Sequence, residues 1–504
     1  AESALAITAR VSVIIWDVGS LIGGSPSGAS STLIHAPPTL FSGRPHASRP
    51  GQGPAGTGSR RTRQEPLRAR RIIELPQGAF VTADTFRALR HRNFRMFWLG
   101  QMVSLIGSWM QMTGQAWLVL TLTDSPFKLG LVSALQWTPV LLLSLFAGVV
   151  ADRYPKRRIL IITQTGLCCM AFVLAALCLT GKVQYWHVLI TATCVGTLQA
   201  FDMPTRQAFV VEMAGRDDLL NAIALNSTIF NLARIIGPAL AGLVVKEVGI
   251  GWAFALNGLS FFAVIYALRA MDVPDRVRPR EGSAVSHILD GLRYIRRTPL
   301  VLGIMILLAV ISLFALNFQV LVPTLARNVL HGDSSQYGLL MSCMGAGALL
   351  GSVGLAPFGG RGLQTRANLA GAVCLGLGEI ALFFVKGWGL SGLALFVCGA
   401  AMATFSASSN TIIQWNVPDE LRGRVMSIHS LVFGGTTPFG AFISGTLARR
   451  LGASVTFGII GGVAVLSAAV MWLSRLLAPR TVQPSGPQVA QAEPFAAPRG
   501  GGRD

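Results

Sequence analysis

Charge is what this sequence has least of. Of its 504 residues only 13% are Asp, Glu, Lys or Arg, roughly half the share of an ordinary soluble domain. Hydrophobic residues make up 52%, and mean hydropathy is +0.55. Lipid, not water, is therefore the expected surrounding for most of the chain. Acids are scarcer still, 22 against 42 Lys plus Arg, which leaves a net charge of +20. Such a balance can signal a nucleic-acid partner, but the cations form no single basic face. They sit in short breaks between apolar runs, where they orient a membrane protein, so no nucleic acid is expected. No phosphate-binding loop of the G-x-x-x-x-G-K-[ST] kind occurs, which excludes direct use of ATP. The seven cysteines (Cys168, Cys169, Cys178, Cys194, Cys343, Cys374, Cys398) lie inside apolar runs without metal-ligand spacing to His. They read as small buried hydrophobes, and neither metal nor cofactor is expected.

Residues 1–80 are rich in Pro, Gly, Ser and Arg and cannot bury enough apolar surface to order. Residues 4–22 are apolar but interrupted by Arg10 and Asp17, which argues against a span. No Met precedes Met96, so translation is expected to begin at Val81, making 1–80 a mis-called start. From Phe94 apolar runs of about 20 residues alternate with short polar breaks. The runs predict helices near 94–122, 127–151, 157–180, 185–207, 220–246 and 250–270, then 299–327, 337–358, 366–386, 389–416, 425–448 and 453–476. The expected fold is an all-α polytopic membrane protein with twelve transmembrane helices in two six-helix bundles, 81–270 and 299–476. A linker, 271–298, separates them, and 477–504 forms a disordered tail. Within the linker Val285, Ile288, Leu289, Leu292 and Ile295 recur at helical spacing, predicting an amphipathic helix on the inner membrane surface. With both termini inside, inner loops and their flanks hold about 17 Lys plus Arg and outer ones about 7. Both ends are thus expected in the cytoplasm.

The halves repeat. Asp217-Asp218-Leu219 corresponds to Asp419-Glu420-Leu421, Pro238 to Pro438, Gly242 to Gly445 and Gly249 to Gly452, at offsets of 200–203. An offset of 208 aligns Gly130 with Gly338 and Arg158 with Arg366. Two six-helix units in the same orientation are the parallel repeat of major facilitator transporters.

The stretch GVVADRYPKRRIL at 148–160 resembles the signature loop of that superfamily, G-x-x-x-D-R-x-G-[RK]-[RK]. Gly148, Asp152, Arg153, Lys156 and Arg157 match, and Pro155 stands where the family has Gly. The resemblance implies a gating latch. Gly148 permits a close helix approach, Asp152 faces the positive end of helix 11, and the cations reach carboxylates at the inner end of helix 4, where Asp202, Arg206 and Glu212 lie. Such a latch favours the outward-open state. TFRALRHRNFRMFWLGQMVSLIGSWMQ at 85–111, FDMPTRQAFVVEM at 201–213 and LNSTIFNLARIIGPALAGLVV at 225–245 resemble the branch of enterobactin and macrolide exporters. Gly237, Pro238 and Gly242 resemble part of the antiporter motif that lets helix 5 bend, with Ala233 where the motif has Gly. By resemblance the chain is a proton-coupled exporter in a bacterial inner membrane, and protons are the expected coupling ion.

Helix 1 carries Gln101, Ser104, Ser108, Gln111 and Gln115 at steps of 3, 4, 3 and 4, one face of a helix. Facing lipid they would be costly, so they are expected on the substrate cavity or against other helices. Helices 1, 4, 7 and 10 line the pathway in the family, and Thr404, Ser408 and Thr411 mark helix 10. Arg234 lies near mid-membrane in helix 5, with Asn231 one turn earlier. It is expected to line the cavity, where it anchors an anionic or carbonyl-rich substrate or tunes a proton step. No Asp or Glu sits mid-membrane in helices 1, 2, 4, 5, 7, 8, 10 or 11, which favours neutral or anionic small molecules, drug- or siderophore-like. Glu379 in helix 9 reads as packing. Two alternatives remain: uptake or lipid flipping by the same fold, and a membrane enzyme or sensor. The second lacks a nucleophile–base pair, since His429 has no acid or Cys nearby in sequence.

Overall fold

The computed structural model describes residues 83–215, 218–272, 284–354 and 360–477. The end segments 1–80 and the tail beyond Leu477 fall outside the described residues. A short 3-10 segment, Ala83–Arg90, leads into six long helices: α1 Arg92–Thr123, α2 Pro126–Arg153, α3 Lys156–Leu179, α4 Tyr185–Ala214, α5 Leu219–Glu247 and α6 Ile250–Ala270. Helix α7, Ala284–Arg297, lies in the linker. The second set comprises α8 Pro299–Phe314, α9 Phe318–Asn328, α10 Ser334–Gly354, α11 Arg361–Phe384, α12 Trp388–Asn416, α13 Asp419–Gly435, α14 Thr437–Leu451 and α15 Ala453–Leu477. The pairs α8–α9 and α13–α14 each form one interrupted span.

Ten spans among the described residues are long and apolar enough to cross a bilayer. The two further long helices, α1 and α4, have 32 and 30 residues and are more polar. They carry the glutamine stripe and the Asp202–Arg206 pair. Phe262, Tyr266, Leu466 and Val470 are exposed apolar residues on the outside, as a lipid solvent allows.

Local chemistry sets the turns. Asp124 ends α1 in the left-handed region at φ +47°, Ser125 caps α2 by accepting from the Lys128 amide, and Pro126 opens the helix. Gly249 and Gly452, equivalent in the repeat, precede α6 and α15 at φ +98° and +83°. Only glycine adopts such a backbone cheaply.

The interruptions of the seventh and eleventh spans were not foreseen. Asn317 closes the first, its Nδ2 donating to the Leu313 and Phe314 carbonyls at 2.8 and 3.0 Å. Gly434-Gly435, Thr436 and Pro438 make the second, a composition that weakens a helix. The breaks touch, because a Cβ on Gly440 would lie 2.3 Å from the Leu313 carbonyl.

Helix α7 docks on the second half rather than lying free. Tyr294 donates to the Asn416 carbonyl at 2.6 Å, Asp290 pairs with Arg424 at 2.6 Å, and Gly291 packs against Ile428. Ile295 is buried, whereas Leu289 and Leu292 stay exposed. The side chains of Val285 and Ile288 fall outside the described residues.

Among the described residues the halves pack backbone to backbone at one end. Gly130 of α2 packs on Gly445 of α14, and Gly338 of α10 on Gly242 of α5, each added Cβ lying 3.0 Å from the partner Cα. Gly130 corresponds to Gly338 and Gly242 to Gly445, so the crossings are images under the repeat. Small residues let helices in lipid approach to backbone contact. Around them Trp117 stacks on Tyr337 at 5.7 Å, Phe127 meets Phe442 at 5.5 Å, Arg327 pairs with Asp124 at 3.2 Å and Lys246 with Asp333 at 3.0 Å. The Gln336 amide, then the Lys246 ammonium, hold the Asp333 carboxyl below its ordinary range. We call this the far face. The opposite, basic face bears the 148–160 loop. There a Cβ on Gly148 would meet nothing within 4 Å, so the halves part towards that side.

Candidate functional site

The half of α4 towards the basic face holds a closed polar cluster. Asp202 is 1% exposed and accepts from Thr163 Oγ1 at 2.8 Å, Gln164 Nε2 at 2.7 Å and Arg206 one turn on. Gln101 of α1 joins it. In the amide orientation that satisfies both groups, its oxygen lies 3.2 Å from Arg206 Nε.

The loop cations do not reach Asp202. Lys156 Nζ pairs with Glu212 at 2.6 Å, and Arg157 donates to the Leu268 and Arg269 carbonyls at 2.6 and 2.7 Å, capping α6. Glu212 lies ten residues beyond Asp202, about 15 Å further along the helix, level with the start of α3. Arg153 is exposed, and among the described residues no hydrogen bond or ion pair reaches Asp152. The loop is thus tied to its own half in this state.

The stripe on α1 divides among neighbours. Gln101 goes to α4. Ser104 is buried, and its carbonyl accepts from Ser108 Oγ at 2.8 Å. Gln111 accepts from Asn257 of α6 at 2.6 Å, and Gln115 donates to Gln136 of α2 at 3.1 Å. Gln115 and Gln136, with Ser133, Trp137, Met112 and Gln319 of α9, line a partly open hollow of about 30 Å³, room for roughly one or two waters. On α12, Thr404 donates to the Gly351 carbonyl at 3.4 Å, Ser408 accepts from Asn368 of α11 at 3.2 Å, and Thr411 bonds back to Ala407 at 2.9 Å.

Arg234 stands at the seam. Its Nη2 is 3.7 Å from Met402 Sδ of α12, its guanidinium lies 5.8 Å from the Trp109 ring centre, and its Nε is sealed without a partner. Asn231, one turn before, donates to the Ser227 carbonyl at 2.9 Å. Gly237 packs on Trp109 and Ile106 of α1, and Gly242 on Ser334 and Ser335 of α10. The Pro238 carbonyl meets Gly338. Glu379 is fully buried, with both oxygens unpartnered among the described residues, and lies beside Gly461 of α15, inside the second half and away from the seam. His429 is buried with Nε2 unpartnered.

Sequence reasoning did not find Trp109, Gln136, Gln319 or Met402. An amide in the middle of an apolar span was a signal for Gln136. Met402 had none, since it is 168 residues from Arg234.

Known proteins resemble this architecture throughout. A family described as transmembrane secretion effector matches residues 83–496. The staphyloferrin A transporter of Staphylococcus aureus is 25% identical over 73% of this chain and 92% of its own. The enterobactin exporter EntS of Escherichia coli O139:H28 is 25% identical over 80% and 96%, and the multidrug efflux pump Tap of Mycolicibacterium fortuitum 27% over 68% and 85%. Among solved structures, the nucleoside transporter NupG superposes with a TM-score of 0.61 at 14% identity, covering 76% of this chain and 98% of that one. An inward-facing, occupied bacterial homologue of the lysosomal transporter Spinster gives 0.62 at 14%, over 77% and 97%. The chain is a multi-pass membrane transporter, not an enzyme, and belongs to the transmembrane secretion effector family, in the enterobactin-exporter and drug-efflux branch of the major facilitator superfamily.

Proposed function

We propose that the chain exports drug- or siderophore-like small molecules, neutral or anionic, by alternating access driven by proton antiport. The observation that carries this is the polarity of the seam. Repeat-related glycine crossings close the far face, while the halves part at the basic face. By the excess of Lys and Arg the basic face is cytoplasmic, with both termini on that side. The structure is then the loading state of an exporter, open to its source of cargo. Gln101, Ser104, Ser108, Gln111, Gln115, Asn231, Arg234, Thr404, Ser408 and Thr411 border or support the pathway. Gly148 allows close approach, and Asp152 and Arg153 engage the start of α13 when the basic face closes, while Lys156 and Arg157 tie the loop to its own half and Asp202 and Arg206 hold α4 against α3. Gly237, Pro238 and Gly242 let α5 bend against α10. The relatives' names, siderophore transporters and a drug pump, support the cargo class.

The test is dye and drug accumulation in a strain lacking its own pumps. Wild type should lower accumulation of neutral or anionic compounds, and a protonophore should abolish the effect. Asp152→Ala should impair it. Accumulation that rises on expression would instead mean uptake.

A further inference from the structure

We infer that Arg234 is the anchor for an anionic group of the cargo, a carboxylate or similarly delocalised oxyanion, and that Met402 holds its place when the site is empty. The inference rests on reading the chain as a carrier and names the chemistry that the carrier selects.

A guanidinium does not give up its proton in a protein. Arg234 therefore carries its charge into the middle of the bundle, where an unpaired charge is costly. The groups around it compensate poorly. Trp109 offers a ring face at 5.8 Å and Met402 a thioether at 3.7 Å, a weak acceptor. Nε is closed off from solvent with no acceptor. Among the described residues no carboxylate pairs with it; of the two deeply buried acids, Glu379 lies inside the other half and Asp202 is taken by Arg206. The site is one anion short of neutrality.

Position gives that anion a consequence. The Arg234 carbonyl packs against Gly345 of α10, an added Cβ there lying 2.7 Å away. Arg234 thus sits at the inner margin of the α5–α10 crossing, and Met402 belongs to the opposite half. A carboxylate taking two guanidinium N–H groups in a fork would displace the thioether. The event that neutralises the charge would cut a cross-half contact beside the crossing, so loading and release of the seam would be one step.

The experiment is thermal unfolding of the purified full chain in lipid nanodiscs, titrated with sodium salicylate and with salicylamide, which keeps the ring and hydroxyl but lacks the charge. Wild type should be stabilised by salicylate and much less by salicylamide. Arg234→Gln should need at least about tenfold more salicylate for the same shift. Arg234→Lys, which keeps the charge but not the fork, should fall between and covers the case that Arg234→Gln does not fold. Met402→Leu should keep the response, since only the placeholder is lost. Equal shifts from both compounds, equal shifts in wild type and Arg234→Gln, or no salicylate shift in wild type would each overturn the inference. Export of neutral dyes without these differences would spare the carrier reading and sink this one. A salicylate response that needs Arg234, without export, would do the reverse.

Discussion

The far-face seal can be broken with one methyl group. In Gly338→Ala the new Cβ would sit 2.3 Å from the Pro238 carbonyl oxygen and 3.0 Å from the Gly242 Cα. Both are backbone atoms of α5, so no side chain can rotate away, and the crossing must widen by about 1 Å. Overpacking of this kind costs about 1–3 kcal/mol. The cost falls on the state in which α5 and α10 touch and is relieved when the far face opens. The ratio of closed to open should therefore drop by about 5- to 150-fold. Gly148→Ala is the control, because no atom lies within 4 Å of its Cβ in this state. Spin labels at Lys182→Cys and Lys386→Cys, exposed in far-face loops of the two halves, would report the change by pulsed electron resonance. The exposed Cys169 and Cys374 are first replaced by Ser. Gly338→Ala should add a longer distance that Gly148→Ala does not. A folded Gly338→Ala protein whose distances superpose on wild type would refute the reasoning.

Asp202→Asn removes the one anion among Thr163, Gln164 and Arg206, strands the guanidinium, and should destabilise the protein by about 3 kcal/mol in detergent unfolding; a change within about 0.5 kcal/mol would contradict the buried network. Gly249→Ala and Gly452→Ala should each cost about 1–3 kcal/mol for the same backbone reason, and unequal melting losses would argue that the turns are not equivalent. Asp333 is held below its ordinary range, so its tie to Lys246 is complete above about pH 4 and is lost as pH falls through the lowered value. The pair is half exposed and screened by solvent, so the far-face distances should lengthen only slightly in acid. Asp333→Asn should remove that response, and an identical acid profile in the variant would rule the pair out as its cause.

The spans were legible because lipid imposes length and apolarity on most of them. The repeat was legible because Gly130, Gly242, Gly338 and Gly445 answer to backbone contact, which no other residue allows. The partners of the polar residues were less so. The steps of Gln101, Gln111 and Gln115 place them on one face, but a helix face borders several neighbours. Arg206, Asn257 and Gln136 divide the stripe among α4, α6 and α2. The destination of Lys156 depends on rise along α4, which puts Glu212 and not Asp202 at its level. Met402 became visible only when α12 was laid against α5.

The interruptions at Asn317 and Thr436 fall in the seventh and eleventh spans, whose counterparts under the repeat, α1 and α5, run unbroken. The duplicated halves are thus mechanically unlike. One runs through both spans without a break, its bend left to Gly237-Pro238 of α5. The other carries two joints that lean on each other through Gly440 and the Leu313 carbonyl, so bending one loads its neighbour. In this pair of spans compliance is concentrated in the second half, and strain from an occupied seam would load those two joints together.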